Sequence, residues 1–385
     1  MRFFTAGNSH GSGIFAFIDG FPANIEIDDA LLEYDLQRRQ SGYGRGGRQK
    51  IEQDKADFHS GVFKGKTTGA PIVAIIRNKD FSIDKMPSVF CPRPGHADLS
   101  GIQKFHLSDI RPVLERASAR ETAGRVVAGS LAKMLLRELG IEAVAFVRSI
   151  GNVEMDDGVI LGKSLRDVKM MTNLSEVFCP DPDASENMIR HIDEAKEKQD
   201  TLGGVVEVRI SGLSPGIGSF TQWDERLDGR IAQAVMSVQA IKWIEIGSAI
   251  ENTKHFGSRI HDEIVLEDGF ARRKTNRAGG IEGGMSNGED IVIRAGMKPI
   301  ATIGRPLKSI DIRTGEGAEA LVERFDTCAV SAASVVVEAM ACWVIADAIT
   351  KKFGCDDIAS IKTAFNSYKT SLNFKKEGND EQKNS

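Results

Sequence analysis

Cysteine is sparse in this sequence. Five residues (Cys91, Cys179, Cys328, Cys342, Cys355) are scattered over 385 positions, and none forms a Cys-x-x-Cys pair. An odd, dispersed set argues against a disulfide framework or a structural zinc site and for a reducing compartment. The seven histidines make no His-x-x-x-His or His-Glu-x-x-His pattern, so metal catalysis has no support. A long uncharged apolar run is also missing. The most apolar stretch, residues 328–349, carries Glu338 and Asp347 and reads as a buried helix, not a membrane span. The opening MRFFTAGNSHG lacks the apolar core of a signal peptide. Positive charge is not in excess: 50 Lys and Arg against 54 Asp and Glu leave a net charge of −4, which argues against a nucleic-acid partner. Proline numbers 11 and glycine follows no Gly-X-Y period, which excludes collagen and proline-rich disorder. The expectation is a soluble cytoplasmic protein with no membrane or nucleic-acid partner.

What the chain does have is glycine, 39 residues or about a tenth, against a usual value near 7%. Such a content suits loops whose backbone approaches a ligand closely. Strand-like runs occur at 2–5, 13–18, 61–64, 71–77, 143–148, 205–210 and 291–295. Helical patterns occur at 30–40, 118–139, 184–198, 228–242 and from 328 onward. Residues 78–112 read as irregular. The mixture follows no βαβ rhythm, so the expected fold class is α+β with mostly antiparallel sheet. A single catalytic domain over 1–365 is expected, followed by a polar tail at 366–385.

The chemistry-bearing residues lie in loops. Gly7-Asn8-Ser9-His10-Gly11 fits Gly-x-Ser-x-Gly in form, but it falls between two strands and not between a strand and a helix. A glycine turn accounts for the glycines. The adjacent Ser9 and His10 suit proton donation to an anionic leaving group. Gly42 to Gly47 satisfies Gly-x-Gly-x-x-Gly without the Rossmann setting. More telling is the charge there: Arg38, Arg39, Arg45, Arg48 and Lys50 fall within thirteen residues with no acid among them. Either this is a solvated basic loop or its guanidinium forks grip a small polyanion. His96 sits in Arg93-Pro94-Gly95-His96-Ala97-Asp98, a stiff loop that can position an acid or base. In Glu115-Arg116-Ala117-Ser118-Ala119-Arg120-Glu121, Ser118 and Glu121 read as a capping box, or the helix start reads as a phosphate site. Five glycines in ten residues at 279–288 permit a flat ligand against bare backbone. Arg324-Phe325-Asp326 precedes the last long helix, either as a local ion pair or as an anion-binding and proton-accepting pair.

Taken together, GNSHG, RRQSGYGRGGR, RPGHAD, ERASARET, GGIEGGMSNG, KPIAT and RFDTC resemble the chorismate synthase family, in the family's order and over nearly the whole chain. The resemblance implies a β-α-β sandwich, with helices between antiparallel sheets, assembled as a homotetramer. It implies a lyase of the shikimate pathway that takes 5-enolpyruvylshikimate 3-phosphate to chorismate and phosphate by anti-1,4-elimination. Reduced FMN is required without net redox change, supplied by a separate flavin reductase or by an NADPH (NADP)-dependent source. By the same resemblance His10 protonates the departing phosphate, His96 stabilises flavin charge and Asp326 handles the flavin N5 proton. Ser9, Arg39, Arg45 and Arg324 bind substrate. Flavin contacts are expected from Arg116, Ala117, Ser118, Gln239, Ala240, Gly283, Lys298, Pro299, Ile300, Ala301, Thr302 and Arg324. The chain departs from the family pattern at Asn8, Ala117, Ser331 and Phe105-His106-Leu107-Ser108. Two other readings are a true flavin oxidoreductase and a non-catalytic phosphate- or flavin-binding protein. The first lacks a nicotinamide motif, and the second leaves intact His10, His96 and Asp326 unexplained.

Overall fold

Alternation of apolar residues builds the first sheet. The computed structural model describes residues 1–46, 53–323, 325–354 and 356–374. Strands β1 (Arg2–Gly7), β2 (Gly13–Asp19), β3 (Ala56–Ser60) and β4 (Ile72–Arg77) pair antiparallel in the order β1-β2-β4-β3. Ile14, Ala16 and Ile18 on β2 and Ile72, Ala74 and Ile76 on β4 are buried on one face. The intervening residues face outward, as expected of a sheet covered on one side. A second antiparallel sheet contains β5 (Glu142–Ile150), β6 (Val153–Glu154), β7 (Gly204–Ser211), β8 (Ile241–Ile246) and β9 (Ile291–Met297), in the order β8-β9-β7-β5-β6.

The main helices are α1 (Asp29–Gln40), α2 (Asp98–Phe105), α3 (Arg111–Ala117), α4 (Thr122–Arg137), α5 (Leu165–Asn173), α6 (Pro182–Glu197), α7 (Leu227–Met236), α8 (Val330–Phe353) and α9 (Ile358–Ser371). Helix α4 lies against β2 and β4, α8 lies against β5 and β7, and the two helices pack on each other. Helices therefore stand between two antiparallel sheets. Helix α8 is buried from Val330 to Thr350, which explains why it is apolar all round. It is long and apolar enough to cross a membrane, yet here it is the central core helix.

Four charges cross this core. Lys133 on α4 pairs with Asp35 on α1 at 2.8 Å and lies 3.5 Å from Glu338 on α8. Arg38 on α1 pairs with Glu338 at 3.2 Å and donates to the Ala145 carbonyl at 3.1 Å. Burial works against the Lys133 charge, but Asp35 and Glu338 more than offset it and hold the ammonium above its ordinary pKa.

Several boundaries differ from the sequence reading. The helix expected at 118–139 begins at Thr122, after a single 3₁₀ turn at Ala119–Glu121. Glu121 does not close a capping box; it accepts from Thr5 Oγ1 at 2.5 Å and pairs with Arg125 at 3.0 Å. The helix expected at 228–242 stops at Met236, and β8 starts at Ile241 after a turn in which Ala240 takes φ +65°. Helix α2 lies inside the segment read as irregular. The tail boundary expected at 366 falls within α9, which runs to Ser371. Phe365 is buried there, and Tyr368 packs on Phe353 and donates to the Pro215 carbonyl at 2.9 Å. Residues 375–385 of that expected tail lie outside the described residues.

The contact of α4 with α8 is closest at Gly129, where an added Cβ would lie 2.2 Å from Ala339 Cβ. Gly129→Ala is therefore expected to destabilise the fold by about 1–3 kcal/mol in urea unfolding, despite alanine's roughly 1 kcal/mol advantage in helix propensity. An unchanged unfolding midpoint would mean that the two helices separate at no cost.

Candidate active site

Loops from both sheets and from the helix ends enclose a cavity of about 780 Å³, a size suited to a cofactor and a small substrate together. Ser9 and His10 enter it from the β1–β2 turn. Glycine is required at the start of that turn, because Gly7 has φ +101° and a Cβ there would lie 2.1 Å from the Gly13 carbonyl oxygen. The Asn78 amide fixes the turn by donating to the carbonyls of Asn8, Ser9 and Gly11 at 3.1, 3.1 and 2.7 Å. Asn78 Oδ1 in turn accepts from Arg120 Nε at 2.9 Å. Arg120 Nη1 and Arg39 Nη2 each reach a carboxylate oxygen of Asp54 at 2.5 Å. One buried carboxylate thus aligns two cavity-lining guanidinium groups. Arg39 is pushed below its ordinary value by burial and by Arg120 and Arg45, with Asp54 opposing.

The two candidate imidazoles are held alike. His10 Nδ1 lies 3.0 and 3.1 Å from the carboxylate oxygens of Glu115, whose side chain is wholly buried and also accepts the His10 backbone N–H at 2.7 Å. His96 Nδ1 lies 2.6 Å from Asp98, again wholly buried. Asp98 takes the Arg93 Nε–H at 2.9 Å, and Arg93 Nη1 donates to Thr302 Oγ1 at 2.8 Å. Burial raises the pKa of both carboxylates, but hydrogen bonds from the histidines, and from Arg93 at Asp98, win and hold both below the ordinary carboxylate range.

Arg45 and Asp326, both lining the cavity, form an ion pair at 2.7 Å, and Asp326 also accepts the Gly46 N–H at 2.6 Å. The loop before Arg45 is pinned: Tyr43 bonds to Asp193 at 2.8 Å, and the Gly44 carbonyl accepts the Thr327 N–H at 2.8 Å. Arg48 and Lys50 of the basic cluster lie outside the described residues, and so does Arg324.

Of the remaining expected contacts, Ala117, Ser118, Gln239, Ala240, Lys298, Ile300, Ala301 and Thr302 line the same cavity. Ser118 Oγ donates to Ser9 Oγ at 3.2 Å. Lys298 has its pKa lowered by burial and by Lys242. Three residues are not brought in. Arg116 turns back on β1, donating to the carbonyls of Gly7 and Thr5 at 3.2 and 2.8 Å. Pro299 does not line the cavity, although Lys298, just before it, does. Gly283 sits at the turn of a small hairpin, Ile281–Glu282 with Met285–Ser286, whose next residue, Gly284, packs against Arg226 and Gly218. That hairpin precedes the start of β9, whereas the cavity lies at its end, about 20 Å away along seven residues. Residues missed as site members are Arg93, Arg120, Asp54, Asp98 and Glu115. Arg93, Asp98, Glu115 and Arg120 lay within motifs already singled out. Asp54 had no local signal, since its partners come from α1 and from the turn before α4.

A flavin is consistent with this lining on two grounds. Gln239 Oε1 is buried without a hydrogen-bond partner among the described residues. The hydroxyls of Ser9, Ser118 and Thr302 and the Lys298 ammonium, groups able to donate to a phosphate, line the same cavity. Arg39 Nε and Arg45 Nε, also in the lining residues, are buried without a hydrogen-bond partner among the described residues.

A family model described as chorismate synthase matches residues 1–350. The chain is 48% identical over 380 residues to the chorismate synthase of Alkaliphilus metalliredigens, an alignment covering 96% of this chain and 99% of that one. It is 47% identical over 393 residues to the chorismate synthase of Aquifex aeolicus, covering 96% and 97%. A crystal structure of chorismate synthase superposes with a TM-score of 0.80 at 41% identity, covering 96% of this chain and 98% of that one.

Because the folded pKa of Asp98 is depressed, its stabilising contribution is fully present above the unfolded value of about 3.9. That contribution is lost as pH falls through the lower folded value. Asp98→Asn is expected to cost about 3–5 kcal/mol at neutral pH, since it strands the buried Arg93. It should also flatten the acid limb of a melting series run from about pH 6 to about pH 3. A variant that keeps the wild-type acid limb would show that Asp98 contributes nothing to it.

Proposed function

The chain belongs to the chorismate synthase family, carbon–oxygen lyases acting on a phosphate ester, and we propose that it converts 5-enolpyruvylshikimate 3-phosphate to chorismate and phosphate by anti-1,4-elimination with reduced FMN. The observation that carries this reading is the convergence, on one cavity, of Arg39, Arg45 and two imidazoles each backed by a buried carboxylate. A substrate with two carboxylates and a phosphate calls for such a set of fixed forks and a proton donor. The same reading carries a homotetrameric cytoplasmic enzyme of aromatic amino-acid biosynthesis, supplied with reduced FMN by a separate reductase or an NADPH-dependent source.

The elimination breaks the C–O bond to phosphate and the ring C–H bond in 1,4 relation to it, leaving a second ring double bond. Reduced FMN, when bound, would supply electron density that eases this departure without net oxidation. Gln239, Ala240, Lys298 and Thr302 would hold the cofactor, with the Ser9 and Ser118 hydroxyls beside them. Arg39 and Arg45, with Arg120 next to them, bind and orient the substrate anions. Arg39 and Arg120 need no reorganisation to do so, because Asp54 already fixes both. His10 gives the proton at Nε2 to the departing phosphate oxygen. His96 would stabilise charge on the cofactor. Asp326 accepts, at its carboxylate, the proton lost from the ring C–H bond once an incoming anion takes its place on Arg45.

Purified protein, chemically reduced FMN and 5-enolpyruvylshikimate 3-phosphate under anaerobic conditions should release chorismate and phosphate in equal amounts, with neither product when FMN is oxidised. Tight FMN binding without product would overturn the lyase reading. His10→Ala should lower kcat by about 10²–10⁴ with substrate binding retained; near-normal turnover removes His10 from the mechanism. Arg45→Lys should raise KM, because an ammonium cannot reproduce the planar fork. An unchanged KM would take Arg45 out of substrate binding.

A further inference from the structure

The geometry points to Glu115 as the positioning residue that keeps a hydrogen on His10 Nδ1, so that the protonated ring releases its Nε2 proton into the cavity and is left as the neutral Nδ1–H tautomer. This rests on the reading of His10 as the proton donor to phosphate. Three observations carry it. First, the Glu115 side chain is wholly removed from solvent and does not line the cavity, so it acts through His10 and not on the substrate. Second, the carboxylate is committed to His10: Oε2 accepts the His10 backbone N–H at 2.7 Å, and the ring Nδ1 lies 3.0 Å from Oε1 and 3.1 Å from Oε2, with Arg111 Nη1 3.6 Å from Oε1. The backbone contact holds the carboxylate in place, and both oxygens then face the ring nitrogen. Third, His10 Nε2 has no protein partner among the described residues, while the ring is 14% exposed at the cavity.

The backbone contact makes the tautomer legible by substitution. In Glu115→Gln the amide oxygen must face the His10 backbone N–H, because the amide NH₂ there would set two donors against each other. The NH₂ group then takes the Oε1 position, 3.0 Å from Nδ1, and sets a donor against any hydrogen there, while the amide oxygen 3.1 Å away already serves the backbone N–H. The pairing that satisfies the NH₂ is a neutral ring with its proton on Nε2. Release of that proton would leave an imidazolate instead of a neutral imidazole, so donation fails although shape is preserved. In the wild type the proton passes from Nε2 to a phosphate oxygen, and the ring is left neutral with Nδ1–H still on the carboxylate. His96 shows the contrast: Arg93 Nη2 lies 3.0 Å from its Nδ1 and 3.4 Å from its Nε2, so Asp98 is not alone in orienting that ring.

The test combines kinetics with nitrogen NMR on the full chain. Protein labelled with ¹⁵N-histidine, its His10 signals identified by their loss in His10→Ala, should show the neutral ring protonated at Nδ1 in the wild type and at Nε2 in Glu115→Gln. The same Gln variant should lose about 10²–10⁴-fold in kcat, the scale set by a wrong-tautomer histidine elsewhere, with substrate KM changed less than about threefold. A wild-type ring protonated at Nε2 overturns the inference, even should the variant fail to fold. So does a folded Gln variant with near-normal kcat. Near-normal turnover in His10→Ala instead defeats the underlying reading of His10, and the wild-type tautomer still decides the role of Glu115.

Discussion

Two carboxylates and two cations, withdrawn from water at the meeting of α1, α4 and α8, are the constraint on which the rest depends. Asp35, Arg38, Lys133 and Glu338 cannot be buried singly without a large desolvation cost, so each demands its partners and the three helices are held in one register. The register decides where the next residues go. Arg38 turns into the core, which sends Arg39 and Gln40 towards Asp54. The start of α4 delivers Arg120 to the same carboxylate, and the start of α8 follows directly from Asp326. The polar interior and the cavity are successive layers of one helix junction.

The cavity repeats one device at different scales. A carboxylate with no solvent exposure is set behind a basic group that faces the ligand space: Asp54 behind Arg39 and Arg120, Glu115 behind His10, Asp98 behind Arg93 and His96. Each carboxylate is kept ionised by its partners against the pull of burial. The basic groups are thereby oriented before any anion arrives, the condition under which hydrogen bonds and charge contribute most in a site closed to water. Arg45 differs, since its partner Asp326 also faces the cavity and is partly exposed. An arriving anion meets a counter-ion to exchange there, whereas elsewhere it meets an organised receptor.

Much of this was legible in the sequence where periodicity was strong. The alternation in β2, β4 and β7 and the helical spacing of α4 and α6 were each apparent, as were the loops carrying Ser9, His10, Arg45 and His96. What escaped was set by tertiary partners. Ser118 and Glu121 have the letters of a capping box, but Thr5, Arg125 and Gln239 compete for Glu121 and win, so the helix starts one turn later. The turn at Gln239–Ala240 has no glycine to announce it, and the chain accepts a left-handed alanine to bring that backbone to the cavity. The glycines at 279–288 were a real signal of close backbone approach, but the approach is to Gly247 and Arg226, not to a ligand space in this chain. Arg116 and Arg120 look equivalent in sequence; only the fold turns the first onto β1 and the second into the site.

The central place of α8 has a consequence for how the protein is made. Its partners on α1, α4, β5, β7 and β9 all precede it in the chain, some by nearly three hundred residues. The first sheet is covered by α4, but the second cannot cover its inner face until α8 has been synthesised. At about 5–20 residues per second, β5 therefore waits roughly 10–40 seconds for its partner helix. The core of the nascent chain therefore closes only after α8 has emerged, and the exposed strands of the second sheet are in most need of chaperone shelter until then.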